Sequence, residues 1–394
     1  MAERVFLHLG VPKSGTTYLQ TTIWQHVDGL RARGVLLPGD RHAHHRWASY
    51  FVREQTPESP EHGRRLAGAW DRLRAEVSAW EGTAVVSHEF YGAATAQQAA
   101  RTIAALAPAE VHVVVTARDA LSLLTAAWQE TLKYRSTTEL DDFDTGVSDD
   151  PMDVWDWRNL DASEVLSRWA PTLGPERVHV VVVPRQRTSE PVLWRRFAGL
   201  FVDDADAFEP SDTRNESMGV VESELLRRVS AHLGGIDELS ARMRLIRDYL
   251  AEQKLVPRHG ERFHPGPQRV GECRRRSERM VQRIREAGYH VVGDLEDLVV
   301  PDELPVLRTP RDVTGDELAE AASSLVAEVL TDLDATQGEL RSSRRTQSRL
   351  RRQLEATADA SGPRREGTPS APSAPSAPST PSVLRRVVTA VRRT

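Results

Sequence analysis

The stretch Val5-Phe6-Leu7-His8-Leu9-Gly10-Val11-Pro12-Lys13-Ser14-Gly15-Thr16-Thr17-Tyr18-Leu19-Gln20 decides the fold class. An apolar run, Val5–Leu9, enters a short loop of Gly, Pro and Ser, and the loop opens straight into a helical pattern. Strand, tight loop and helix in that order begin a parallel α/β unit. A helix start presents unpaired N–H groups and the positive end of the helix dipole, so the loop predicts an anion site. Gly10 and Gly15 let the backbone come close to the anion, and Ser14, Thr16 and Thr17 offer hydroxyl donors. Lys13 adds a mobile point charge. An ordinary turn capped by Ser or Thr would need none of this agreement between strand, glycines, lysine and hydroxyls.

Working outward, Ala84–Ser87, Val111–Thr116 and Val178–Val183 read as further strands, two of them nearly continuous valine. Such runs fit strands buried on both faces of a parallel sheet. Helical patterns cover Gly15–Arg33, Glu61–Trp80, Ala94–Leu106, Leu121–Tyr134 and Ala162–Trp169. The alternation predicts an open α/β sheet with helices on both sides. After about residue 200 strand signals fade. Glu222–Leu233, Ile236–Glu252 and the basic Cys273–Ala287 read as helices, and a charged helical pattern runs from Asp316 to Glu355 with irregularly spaced leucines. Ser-Ala-Pro repeats in 361–382 predict a disordered linker. The last segment, 383–394, is basic and valine-rich. It reads either as a solubilising tail or as a short helix touching an anionic membrane or a partner protein.

The 394 residues carry a formal net charge of −5, which excludes nucleic-acid binding by bulk charge. Cys273 is the only cysteine, so no intrachain disulfide can form. With no long apolar run and no signal pattern at the N-terminus, the expectation is a soluble cytoplasmic chain, peripheral to the inner membrane face if its tail binds there. Of 52 basic residues only Lys13, Lys133 and Lys254 are lysines, which singles out positions where a guanidinium would not serve.

The loop differs from the ATP/GTP-binding P-loop, where Gly-Lys-Ser/Thr stands at the helix start, because Lys13 precedes Gly15. Instead Pro12-Lys13-Ser14-Gly15-Thr16-Thr17 resembles the 5′-phosphosulfate-binding loop of the sulfotransferases. That family transfers a sulfuryl group from 3′-phosphoadenosine 5′-phosphosulfate (PAPS) and has a P-loop-like three-layer α/β fold with a central parallel sheet. The resemblance extends over about residues 3–220, through Leu132–Phe143 and the Arg214-Asn215-Glu216-Ser217 loop, which is similar to one in bacterial members. Val111–Thr116 followed by Ala117-Arg118-Asp119 resembles the family's 3′-phosphate site, where an Arg leaves a strand and a Ser stands eight residues later. Arg118 matches. The later position is Ala126, so Ser122 or Thr125 is left to supply the hydroxyl. The resemblance implies PAPS as donor, no metal, Lys13, Ser14, Gly15, Thr16, Thr17, Arg118 and Ser122 as donor-binding residues, and a carbohydrate or small-metabolite hydroxyl as acceptor.

Sulfuryl transfer needs a base for the acceptor proton. His88 and Glu89 end the strand in Val85-Val86-Ser87-His88-Glu89-Phe90, at the sheet edge where open α/β folds place ligands. Glu89 is the first candidate, its pKa raised by desolvation, and His88 the second. Arg41-His42-Ala43-His44-His45-Arg46-Trp47 has no Cys or carboxylate at ligand spacing and reads as a solvent-facing loop rather than a metal site. His8 is expected to pack or to orient the loop, and Trp128, Trp155 and Trp157 to pack.

The domain reading is a PAPS-binding α/β core at 1–220, its helical continuation at 221–310, and a charged helical extension at 311–360. The linker and basic tail follow, and the extension is the candidate for self-association. Two other activities compete. One is a nucleotide-dependent kinase using the same loop. The other is a nucleotide-binding or interaction protein that has lost transfer, for which Ala126 and the extension speak.

Overall fold

In the computed structural model, six parallel strands form one sheet in the order β2-β3-β1-β4-β5-β6. Residues 1–143, 146, 154–186, 190–212, 217–236 and 238–360 are described, with side chains to 356. The strands are β1 (Arg4–His8), β2 (Val35–Leu36), β3 (Thr83–Ser87), β4 (Glu110–Ala117), β5 (Val178–Val182) and β6 (His290–Val292). The helices in chain order are α1 (Thr16–Gln25), α2 (Val27–Ala32), α3 (His42–Val52), α4 (Pro60–Ala79), α5 (Ala96–Ala105), α6 (Ala120–Lys133) and α7 (Trp157–Leu160). They continue with α8 (Ala162–Trp169), α9 (Val192–Ala198), α10 (Val220–His232), α11 (Leu239–Arg242), α12 (Pro267–Ala287) and α13 (Gly315–Ala360).

Because successive side chains of a strand face opposite ways, β1 feeds two cores at once. Leu7 and Leu9 join Val86, Val113 and Val180 beneath α4, α8 and α12, where Leu73, Trp169 and Ile284 close the layer. Phe6 joins Val85, Val114 and Val181 on the other face, under Leu19 and Ile23 of α1 and Trp194 and Phe197 of α9. Helices thus cover both faces of the sheet, and the valine runs are buried on both sides as a parallel sheet requires.

The chain leaves β1 toward β2 on one side and leaves β4 toward β5 on the other. Between β1 and β4 the connections diverge, and at such a switch point the carboxyl ends of the strands bound a crevice. The segments after β1 and β4 are those carrying Lys13 and Arg118.

Several sequence expectations need correction. The helix read as Gly15–Arg33 breaks at His26 into α1 and α2. The segment Arg41–Trp47 is not a solvent-facing loop: His42 onward is α3, and His45 is fully buried. The helix read as Ile236–Glu252 is α11 followed by a wider π-helical turn pattern, Met243–Leu255. Two edge strands, β2 and β6, escape the sequence reading. Arg214, Asn215 and Glu216, the linker 361–382 and the tail 383–394 lie outside the described residues.

The chain divides into Met1–Val326 and Ala327–Thr394, a boundary within α13. The first unit takes in the segments that the sequence separates at 220 and 310. No helix among the described residues is long and apolar enough to cross a membrane.

Candidate active site

The loop between β1 and α1 is held in a conformation few sequences tolerate. Gly10, Lys13 and Gly15 have φ of 52°, 66° and 87°. A Cβ on Gly10 would lie 2.3 Å from Thr16 Cγ2, so only glycine fits that position. Lys13 has no such excuse: a non-glycine residue in the left-handed region costs about 1 kcal/mol or more, and such strain collects at functional sites. Its result is a concave run of backbone donors. Among the described residues, the N–H groups of Lys13, Gly15, Thr16 and Thr17 meet no protein acceptor. They stand at the positive end of α1, which is the arrangement that attracts an oxyanion.

A buried hydrogen-bond relay fixes the loop from beneath. Ser14 Oγ donates to Val11 O at 2.5 Å, and lies 2.5 Å from Thr116 Oγ1 on β4. Thr116 must therefore donate to Ser14, which leaves its oxygen to accept from His8 Nε2 at 3.3 Å. His8 Nδ1 then accepts from Ser87 Oγ at 2.7 Å. The relay requires a proton on His8 Nε2, and in the neutral imidazole Nδ1 is left to accept from Ser87. Burial agrees, pushing that imidazole down to about 4. His8 and Ser14 are thus internal ties between β1, β3 and β4. The Ser14 hydroxyl is used within the protein; Thr16 is also buried, and Thr17 is the exposed hydroxyl of the run.

Lys13 and Arg118 meet across the switch point. Arg118 Nη1 donates to Lys13 O at 3.2 Å, bringing the guanidinium that follows β4 against the loop that follows β1. Asp119 caps α6 by accepting from Ser122 N at 2.8 Å, and Ser122 is half-buried in that first turn. Lys13 Nζ lies 2.9 Å from Glu130 Oε2 on α6. Glu130 is also paired with Lys133 at 3.2 Å and Arg247 at 3.5 Å. Burial works against that carboxylate, but the Lys13, Lys133 and Arg247 charges overcome it and hold it down to about 2. Glu130 therefore holds the Lys13 ammonium beside the loop, and Lys133 and Arg247 share the neutralisation of that carboxylate.

His88 and Glu89 follow β3. Glu89 accepts from Gln20 Nε2 of α1 at 3.0 Å, a bond that places it beside the helix that follows the loop. Its side chain is one-fifth exposed, whereas His88 is almost wholly covered. The expected rise in the Glu89 pKa does not occur. Burial pushes it up, but His88 beside it, its own backbone N–H, Gln20 and His42 outweigh that and leave it below the ordinary carboxylate range. Burial also pushes His88 down to about 4, so it is neutral, and its Nδ1 accepts from Phe90 N at 3.2 Å. Both candidate bases are consequently unprotonated at neutral pH. The more accessible one is Glu89.

Trp128 is fully buried, its Nε1 donating to Thr138 O at 2.8 Å, and Arg276 stacks over Trp157 at 4.5 Å. Sequence reasoning missed the structural use of Glu130, Gln20, Thr116 and His45. Only Lys133, one helical turn after Glu130, hinted that this glutamate sits among positive charges. Among the described residues no group of three or more His, Cys, Asp or Glu side chains is placed to hold a metal ion. Compared with protein-family models, curated proteins and solved structures, the chain matches none.

Proposed function

We propose that the chain is a PAPS-dependent sulfotransferase with a P-loop-like fold, acting on a hydroxyl of a carbohydrate or small metabolite. The observation that carries the reading is the meeting of Lys13 and Arg118 at the switch point. A strained loop of open N–H donors, a movable ammonium and a guanidinium fork together suit a ligand with anionic groups at both ends. Lys13, Gly15, Thr16 and Thr17 would hold the 5′-phosphosulfate, and Arg118, with Ser122, the 3′-phosphate. Gly10 keeps the loop open without itself touching the ligand.

In transfer, the acceptor oxygen forms a bond to sulfur while the bond from sulfur to the 5′-phosphate oxygen breaks. The acceptor proton passes to the Glu89 carboxylate, and the departing electron pair comes to rest on a phosphate oxygen that Lys13 neutralises. His88 is the second candidate for the base. Positioning and charge stabilisation supply most of the catalysis, as in the analogous phosphoryl transfers.

Calorimetric titration with adenosine 3′,5′-bisphosphate and, separately, ATP tests the assignment. The bisphosphate is expected to bind and ATP to fail. Arg118→Ala should weaken the bisphosphate by tenfold or more, the loss of a charge-assisted contact of about 1.5–3 kcal/mol. Lys13→Ala should weaken it less, because the bisphosphate lacks the sulfonate. Binding of ATP alone would replace the reading with a kinase. Silence from both ligands would leave the fold without this chemistry.

A further inference from the structure

From Ala327 to Leu340, α13 carries Glu328, Asp332, Asp334 and Glu339 and no basic residue. From Arg341 to Leu354 it carries Arg341, Arg344, Arg345, Arg349, Arg351 and Arg352 and no acid. On the same stretch Leu333, Leu340, Leu350 and Leu354 are 49%, 49%, 51% and 71% exposed. Leucines so placed on a charged helix mark a face that another surface covers.

Their spacing is more regular than a first reading of the sequence suggests. Leu333, Leu340, Gln347 and Leu354 recur every seventh residue, and Val329, Thr336, Ser343 and Leu350 form a second row three places behind an a position. These are the a and d rows of a coiled-coil heptad. We propose that this face of α13 pairs with the same face of a second copy of the chain, antiparallel, as a two-helix coiled coil.

Charge sets the orientation. Antiparallel pairing lays the acidic half of each helix beside the arginine half of the other, at both ends. Parallel pairing sets acid against acid and arginine against arginine. The rows set the register. One alignment places every a residue opposite a d residue of the second copy: Leu333 faces Leu350, Leu354 faces Val329, Leu340 faces Ser343 and Gln347 faces Thr336. Apolar layers then lie toward both ends, and the polar Gln347–Thr336 layers nearer the middle penalise shifted alignments. With only half its layers apolar, the pairing is reversible and salt-sensitive.

The experiment is sedimentation equilibrium of the full chain at low salt, followed by cysteine trapping. The expected mass is twice the 44.0 kDa of one chain, falling toward one chain as salt is added. Leu333→Asp with Leu350→Asp should stay at one chain with an unchanged thermal transition, since both side chains face water in the single copy. In the antiparallel pair the two copies of position 350 stand about 26 Å apart, from 17 residues at the helical rise. That is far beyond disulfide reach. Leu350→Cys alone should therefore give no cross-linked dimer on oxidation, whereas Leu333→Cys with Leu350→Cys should give one. A cross-link from Leu350→Cys alone, or none from the double variant, overturns the orientation. A one-chain mass at low salt overturns the pairing.

Discussion

Lys13, Glu130 and Glu89 show how one residue's chemistry is set by others far away in sequence. Lys13 is strained in its backbone and neutralised at its tip, by a carboxylate 117 positions later. Glu89, although partly covered, stays ionised because Gln20 donates to it and His88 stands beside it. A general base must be unprotonated to work, so the pH dependence of donor turnover follows directly from that shift. The Glu89 carboxyl titrates below the ordinary carboxylate range, so the rate per folded molecule should stay flat from pH 8 down through the imidazole range. An unperturbed imidazole acting as base would instead halve the rate near pH 6.5. Glu89→Gln should lower kcat by roughly a hundredfold or more and leave KM nearly unchanged. A rate per folded molecule that falls through pH 6.5, or full activity in Glu89→Gln, would remove Glu89 from the base role.

At the scale of the element, the β1–loop–α1 unit behaves as one keyed piece. Gly10→Ala forces a Cβ to within 2.3 Å of Thr16 Cγ2 at a positive φ. It should cost about 2 kcal/mol or more of stability, read as a lower urea midpoint at constant slope, and bisphosphate binding should fall with it. An unchanged midpoint would mean that the loop relaxes and that Gly10 is not required. This unit was also the most legible part of the chain. Apolar runs such as Val5–Leu9 and Val111–Thr116 declare themselves because a central parallel strand is covered on both faces. Val35–Leu36 and His290–Val292 did not, since two or three residues at a sheet edge carry no period. The histidines of α3 misled for a different reason. His45 is polar by type but satisfied inside the core, accepting from Ser87 N at 3.0 Å and donating to Pro38 O at 2.8 Å. The local sequence contains neither partner's position. In the candidate site the loop between β1 and α1 and the place of Arg118 just after β4 could be read from local pattern, whereas the Glu130 contact depends on how α6 crosses the loop.

Over the whole molecule the buried histidines decide how the fold meets acid. His8, His45, His88 and His179 are all less than a tenth exposed, and burial pushes them to about 4, 3, 4 and 4. His179 lies in a ladder across three strands, with its Nε2 at 2.9 Å from His112 Nδ1 and its Nδ1 at 2.8 Å from His290 Nδ1. Glu110 accepts from His112 Nε2 at 2.7 Å, so each imidazole donates once along the ladder and none needs a charge. A further proton on His179 would meet the N–H of His290. In the unfolded chain these imidazoles titrate near 6.5. Below that pH the unfolded chain takes up protons that the folded chain refuses, so stability falls as pH drops from 6.5 toward 4. Each histidine contributes a slope of up to about 1.4 kcal/mol per pH unit. Glu130 acts in a lower window. Its contribution, roughly 3 kcal/mol, is complete above the ordinary carboxylate value and is lost only as pH falls from about 4.5 to about 2. Since the histidine slopes together approach a typical domain stability of about 5–15 kcal/mol within two pH units, they act first. The expected result is cooperative unfolding with a midpoint between pH 6 and pH 4, before Glu130 is protonated. Thermal scans from pH 8 to pH 4 check this: Tm should be level above pH 7 and drop steeply below 6.5. A Tm at pH 4.5 equal to that at pH 7 would mean that the buried imidazoles accept protons in place and that the neutral ladder does not hold.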